Sequence, residues 1–196
     1  MNHSFNPLSM SAHATSRRQL IAVAGAAIGG VALCPLRILA EESDGLSRSA
    51  EAIHQEPVFE ARRQVVYRAL TDAKQFDQIV LLSGVTQSMG SGAKPTELSP
   101  EPGSAFTLFG GYIVGRQIEL VRDTRIVQAW RALSWKPGEY SIASFHLLDA
   151  ASKSNMGTKI VFDQRGFPAG TGEHLATGWK AHYWEPLAKL LTQNGS

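Results

Sequence analysis

The stretch GEHLATGWKAHYWEPLAKLLT, Gly172 to Thr192, decides the fold. Leu175, Trp179, Tyr183, Leu187 and Leu190 or Leu191 recur every three or four residues, the spacing that puts apolar side chains on one helical face. A long amphipathic helix closing the chain must bury that face against whatever precedes it. Pro186 lacks an N–H, so it is expected to remove one helical hydrogen bond and bend the helix after its midpoint.

What precedes it is a series of strands. Alternating segments run over Ala105 to Phe109, Tyr112 to Val121, Arg125 to Leu133, Tyr140 to Leu148 and Thr158 to Gln164. Gly110-Gly111, Arg122-Asp123, Pro137-Gly138 and the segment Lys153 to Asn155 punctuate them. Further upstream, Ser83 to Ser104 holds much of the Gly, Ser and Pro. A structureless stretch of that length is uncommon in a compact domain, so a short edge strand is expected around Lys94 to Leu98. Alternation from Ile53 through Val58 and Phe59 gives a first strand. Glu60 to Ala73 then switches to a helical period with Val65, Val66, Ala69 and Leu70 on one stripe. Thr71 or Asp72 can end that helix and cap a second carrying Phe76, Ile79 and Val80. The order is strand, two helices, five or six antiparallel strands and a long helix, which defines an α+β domain.

The first forty residues read differently. SRRQLI, Ser16 to Ile21, leads into an uncharged stretch from Ala22 to Leu36, and no Asp or Glu occurs before Glu41. Adjacent Arg17 and Arg18 ahead of a Gly/Ala-rich apolar segment resemble a twin-arginine export signal, which implies the twin-arginine translocase as partner and a periplasmic or otherwise extracytoplasmic location. Leu20 to Leu33 falls short of the about 20 apolar residues of a spanning helix, so no stable membrane anchor is expected. Cleavage is expected after Ala40; Cys34 in VALC follows Leu33, too bulky for a lipoprotein cut. The organisation is thus a signal peptide over 1–40, a polar linker over 41–52 and a folded domain over 53–192.

Composition supports that division. The chain carries 19 Lys and Arg against 17 Asp and Glu. Losing Arg17, Arg18 and Arg37 leaves 16 against 17, a net charge of −1. The basic excess belongs to the leader, and no nucleic-acid footprint remains. The single cysteine leaves with the leader too, excluding a disulfide framework, a zinc–cysteine cluster and a cysteine nucleophile from the domain.

Several blocks carry a resemblance to a known family. GGYIVG at Gly110 to Gly115, IVQAWR ending at Arg131, Trp135 with the PGEY ending at Tyr140, RGFP ending at Pro168, GWKAHYWEPL ending at Leu187 and VYRALTDAKQF from Val66 to Phe76 resemble the activator-of-ninety-kilodalton-heat-shock-protein ATPase homologue family. The resemblance spans roughly Ile53 to Leu191. It implies the SRPBCC, or START-like, superfamily and its helix-grip fold, a curved antiparallel sheet wrapped around a long C-terminal helix. In many members the space between sheet and helix holds an apolar ligand. The eukaryotic activators meet a cytosolic chaperone and its ATP, conditions that an exported chain does not share.

The motif residues have structural readings as well. Gly110, Gly111 and Gly115 relieve backbone crowding at a turn and a strand bend. Trp130, Trp135, Trp179 and Trp184 supply buried area to a core, or, where Trp130 and Trp179 face the sheet–helix gap, the wall of a cavity. Arg131 points to the opposite strand face, where a surface or rim ion pair is expected.

No Walker motif, GxSxG or HExxH occurs, and no catalytic residue is assigned. His174 and His182, about 80° apart on a regular helix, are poor co-ligands. His182 and Glu185 have a metal-site spacing without the partner helices such a site needs, so neither metal nor cofactor is expected. The leading expectation is an exported domain that binds an apolar or amphipathic small molecule between sheet and helix. Its wall candidates are Phe109, Tyr112, Val114, Trp130, Phe145, Phe162, Trp179 and Tyr183, with His146, Asp163 and His182 as polar candidates. A protein-interaction or chaperone-like module is the second possibility. A cavity enzyme of lyase or hydrolase type is the third, with Tyr112, Tyr140, His146, Asp163, His182 and Tyr183 as its polar set.

Overall fold

Two sheet segments open the domain, β1 Ala52–Gln55 and β2 Val58–Phe59, separated by Glu56 and Pro57 in a computed structural model that describes residues 51–85, 93–151 and 156–193. Proline has no N–H to give to a ladder, so the alternating run is broken there into two short strands. The expected export signal, with Arg17 and Arg18, and Cys34 lie outside the described residues.

Helices α1 Arg63–Thr71 and α2 Ala73–Leu82 follow. Asp72 makes the junction: its Oδ1 accepts from the Gln75 amide at 3.0 Å, satisfying one of the free donors of the α2 first turn. Thr71 instead donates its hydroxyl to the Tyr67 carbonyl. Val66, Ala69 and Leu70 are buried from α1 and Phe76, Ile79 and Val80 from α2, while Val65 is turned outward.

Strands β3 Ala105–Leu108, β4 Ile113–Val121, β5 Arg125–Ala132, β6 Ser141–Ala150 and β7 Gly157–Arg165 form an antiparallel meander. The sheet order is β1-β7-β6-β5-β4-β3, with β2 also on β7. The register slips between Gln117 and Glu119, an irregularity of the bulge type that bends a strand. The edge strand expected over Lys94 to Leu98 contracts to one bridge, in which Glu97 and Thr107 exchange two 2.8 Å backbone hydrogen bonds. Gly110-Gly111 is a 3-10 turn, Phe109–Gly111, not a two-residue hairpin.

The period-two alternation sorts each strand's side chains onto two faces. The buried face carries Phe106, Ile126, Trp130, Phe145, Ile160 and Phe162. Gly115 sits between Phe106 and Trp130 in register, and a Cβ there would lie 2.3 Å from Phe106 Cζ. The glycine therefore makes room for the Phe106 ring.

Against that face runs the terminal helix, α3 Gly172–Trp179, a π-helical turn Lys180–Trp184 and α4 Glu185–Gln193. The effect of Pro186 falls upstream of it. Proline cannot donate to the His182 carbonyl and its ring crowds that carbonyl, and the chain widens before it, with the Glu185 amide reaching Lys180 O, five residues back. On a regular helix residues five apart are separated by about 140°. The wider turn brings Trp184 round to stack on Trp179, centroids 5.6 Å apart at 21°. Tyr183 and Trp184 are consequently both buried. Among the described residues no helix is long and apolar enough to cross a membrane.

Candidate functional site

Between α3, the π turn and the β4–β5 end of the sheet lies a pocket of about 800 Å³. Its inner wall is apolar. Phe109, Ile113, Trp130, Trp179 and Tyr183 line it, each under a tenth exposed, and Leu175 closes the helix side. Its outer parts are polar, with Tyr112, Lys136, Glu139, His174 and His182 among the lining residues. An apolar interior with a few polar groups at one side is the ordinary constitution of a small-molecule site.

The aromatic wall is held by polar atoms behind it. Trp179 Nε1 donates to Gln164 Oε1 at 2.6 Å, Gln164 Nε2 donates to Ser141 Oγ at 2.8 Å, and Ser141 Oγ donates to the Trp130 carbonyl at 3.0 Å. Gln164 and Ser141 are fully buried, and this chain satisfies them while tying the Trp179 indole to the Trp130 backbone. Trp130 Nε1 in turn donates to Tyr183 Oη at 3.3 Å. Burial pushes the Tyr183 hydroxyl up from the usual phenol range, so it remains protonated. Phe109 packs on Tyr183 at 5.1 Å with its own backbone in the left-handed region, φ 50°. That is an uncommon conformation for an aromatic residue, held here by Gly110 and Gly111, also at positive φ.

Six of the residues anticipated from sequence meet at this pocket: Phe109, Tyr112, Trp130, Trp179, His182 and Tyr183. The others do not line it. Phe145 and Phe162 stand deeper in the core, packed on each other at 5.0 Å and on Trp179 and Trp184. Val114 points to the other sheet face, in register with Thr107 and Arg131. His146 lies on that face opposite Arg125 and Val161, because strand alternation gives the buried side to Phe145 and Leu147. Asp163, likewise outward, accepts from His54 Nδ1 at 3.0 Å. The polar set considered for an enzyme is thus split between two faces of the sheet.

Three residues depart from their expected roles. Arg131 makes no ion pair among the described residues; Nη2 and Nε donate to the carbonyls of Trp135 and Lys136 at 2.6 and 3.3 Å, closing the turn that carries part of the pocket wall. His174 and His182, set apart by α-helical geometry, nevertheless both line the pocket, with the start of the π turn lying between them. No group of three or more potential metal ligands occurs among the described residues. Gln164, Ser141, Lys136 and Glu139 were not singled out by sequence. For Gln164 a signal existed: it follows Ile160 and Phe162 at period two and so belongs to the buried face.

This arrangement, a curved antiparallel sheet gripping a terminal helix over an aromatic pocket, is that of the helix-grip class. The chain belongs to the Activator of Hsp90 ATPase homolog 1-like family, whose model matches residues 60–192. It is 26% identical over 121 residues to the activator of 90 kDa heat shock protein ATPase homolog 2 of Mus musculus, covering 62% of this chain and 35% of that protein. With human homolog 1 it shares 30% over 97 residues, covering 50% of this chain and 28% of the relative. The chain thus matches about a third of these relatives' length. Among solved structures, an HSP90 activator from Plasmodium falciparum superposes with TM-score 0.59 at 22% identity, covering 72% of this chain and 96% of that one. DynU16, described as a putative protein in the dynemicin biosynthetic locus, superposes with TM-score 0.55 at 18% identity, covering 73% and 48%. These likenesses define the fold.

Proposed function

We propose that the protein binds an apolar or amphipathic small molecule in the pocket between sheet and terminal helix. The observation that carries this reading is the about 800 Å³ space walled by Phe109, Trp130, Trp179 and Tyr183 with polar residues to one side. Rings held by a buried hydrogen-bonded chain present a preformed surface, which lowers the ordering cost of binding. An apolar body would displace water from the aromatic wall, and a polar end would remain near Lys136, His174 and His182. We propose further that Arg17 and Arg18 direct export by the twin-arginine route and that the mature chain works outside the cytoplasm.

Both claims meet in one experiment. The full precursor is expressed, the exported protein purified, and its mass recorded under native and then denaturing conditions. A denatured mass for a chain starting near Glu41, with extra native mass lost on denaturation, is the expected result. An intact precursor removes the export reading. A bare native mass together with no saturable uptake of 2-ethylnaphthalene removes the pocket reading.

A second reading, a protein-interaction module, draws on the family. Its relatives include proteins named as activators of a chaperone ATPase. A stoichiometric protein partner recovered with the exported chain, at the expense of small-molecule uptake, would favour it.

A further inference from the structure

The hydroxyl of Tyr183 holds an unspent proton. Its oxygen accepts from Trp130 Nε1 at 3.3 Å, and among the described residues nothing accepts from it. Tyr183 is 6% exposed and lines the pocket, as do Trp130 and Phe109, which flank it. Buried polar groups in native structures are normally satisfied, and one left over beside a cavity marks where a ligand atom completes the set. From these observations we infer that the pocket selects ligands carrying a neutral hydrogen-bond acceptor, a carbonyl oxygen on a flat apolar body, placed on Tyr183 Oη. This assignment rests on the pocket reading above and names the ligand chemistry of that site.

The sign of the interaction follows from the surroundings. Burial holds Tyr183 protonated, so it offers a donor and no negative charge for a cation. The Trp130 indole N–H donating into the same oxygen polarises the O–H outward, strengthening it as a donor. A carboxylate or phosphate at this depth would lose its hydration against aromatic carbon with one neutral donor in return. A neutral carbonyl loses far less water and recovers one hydrogen bond. Aromatic walls at Phe109, Trp130 and Trp179 favour a flat, conjugated body, since stacked or edge-on rings add to the area term.

The test compares 2-acetylnaphthalene with 2-ethylnaphthalene, close in shape and differing in the carbonyl oxygen, by equilibrium dialysis against the wild-type protein and Tyr183→Phe. The expected result is that the variant loses about fivefold in affinity for the ketone, the equivalent of one net hydrogen bond, and keeps its affinity for the hydrocarbon. Retained hydrocarbon binding also reports that the variant pocket is formed. Equal change for both probes, or no change for either, overturns the inference and leaves the pocket reading standing. Failure of both probes to bind wild type overturns both. Should Tyr183→Phe not fold, the infrared carbonyl stretch of the ketone on wild type decides: a shift below its position in hexane is expected, and an unshifted band overturns the assignment.

Discussion

Trp179 donates its indole N–H to Gln164 Oε1 across 2.6 Å, joining the helix to the strand at the opposite side of the core. That bond places a fully buried amide behind the pocket wall, with its other end committed to Ser141. Gln164→Leu keeps the volume and removes both partners' complement, leaving the Trp179 N–H unsatisfied. A loss of about 1–3 kcal/mol in urea unfolding is expected. A change under about 0.5 kcal/mol would mean that water or a neighbour replaces the amide without cost.

Gly115 is set by its neighbours more than by its backbone. A methyl group there would sit 2.1 Å from the Ala129 carbonyl oxygen as well as against Phe106. Gly115→Ala is expected to destabilise by about 1–3 kcal/mol or more, since neither the strand backbone nor a fully packed ring can yield freely. Unchanged unfolding would show that β3 can shift away from β4.

Trp179 and His182 both line the pocket yet should behave oppositely. Trp179 contacts the rings of Trp130, Phe145, Phe162, Tyr183 and Trp184. Trp179→Ala should therefore cost about 3–5 kcal/mol. His182 is exposed, and His182→Ala should stay within about 0.5 kcal/mol. Comparable losses for the two would contradict the division into packed wall and polar rim.

On the outer face, the Asp163 carboxylate holds the His54 imidazole above its ordinary pKa, first through their hydrogen bond and then through its charge, with Glu56 adding to it. A raised folded-state value means that the pair's contribution is present below the unfolded pKa, about 6.5, and is lost as pH rises through the folded value. In an NMR titration Asp163→Asn should bring the His54 midpoint down. The stability difference between variant and wild type should shrink towards alkaline pH. A His54 midpoint indifferent to the substitution would show that the pair does not persist in solution.

Much of this domain was legible in its residues because alternation and helical period are local properties. Strands β3 to β7 fall within a residue or two of their expected spans, and Asp72 is the cap that its side chain can be. The site was legible by half. Trp130, Trp179 and Tyr183 belong to faces that the pattern reveals, whereas His146 and Asp163 were proposed for a cavity although alternation puts them on the sheet face away from Phe145 and Phe162. Lys136 and Glu139 reach the pocket through a turn that Arg131 closes, a contact no periodicity announces.

The sequence by itself determined an α+β chain whose sheet must cover one face of a terminal helix, because the spacing of apolar side chains dictates which surfaces leave water. Only the tertiary structure decided where that cover is incomplete. The π turn ahead of Pro186 rotates Tyr183, Trp184 and His182 relative to α3, and the Gln164 chain holds Trp179 against Trp130's strand. Both depend on one wide turn and on partners distant in the chain, and a gap between two packed surfaces is a property of neither surface alone.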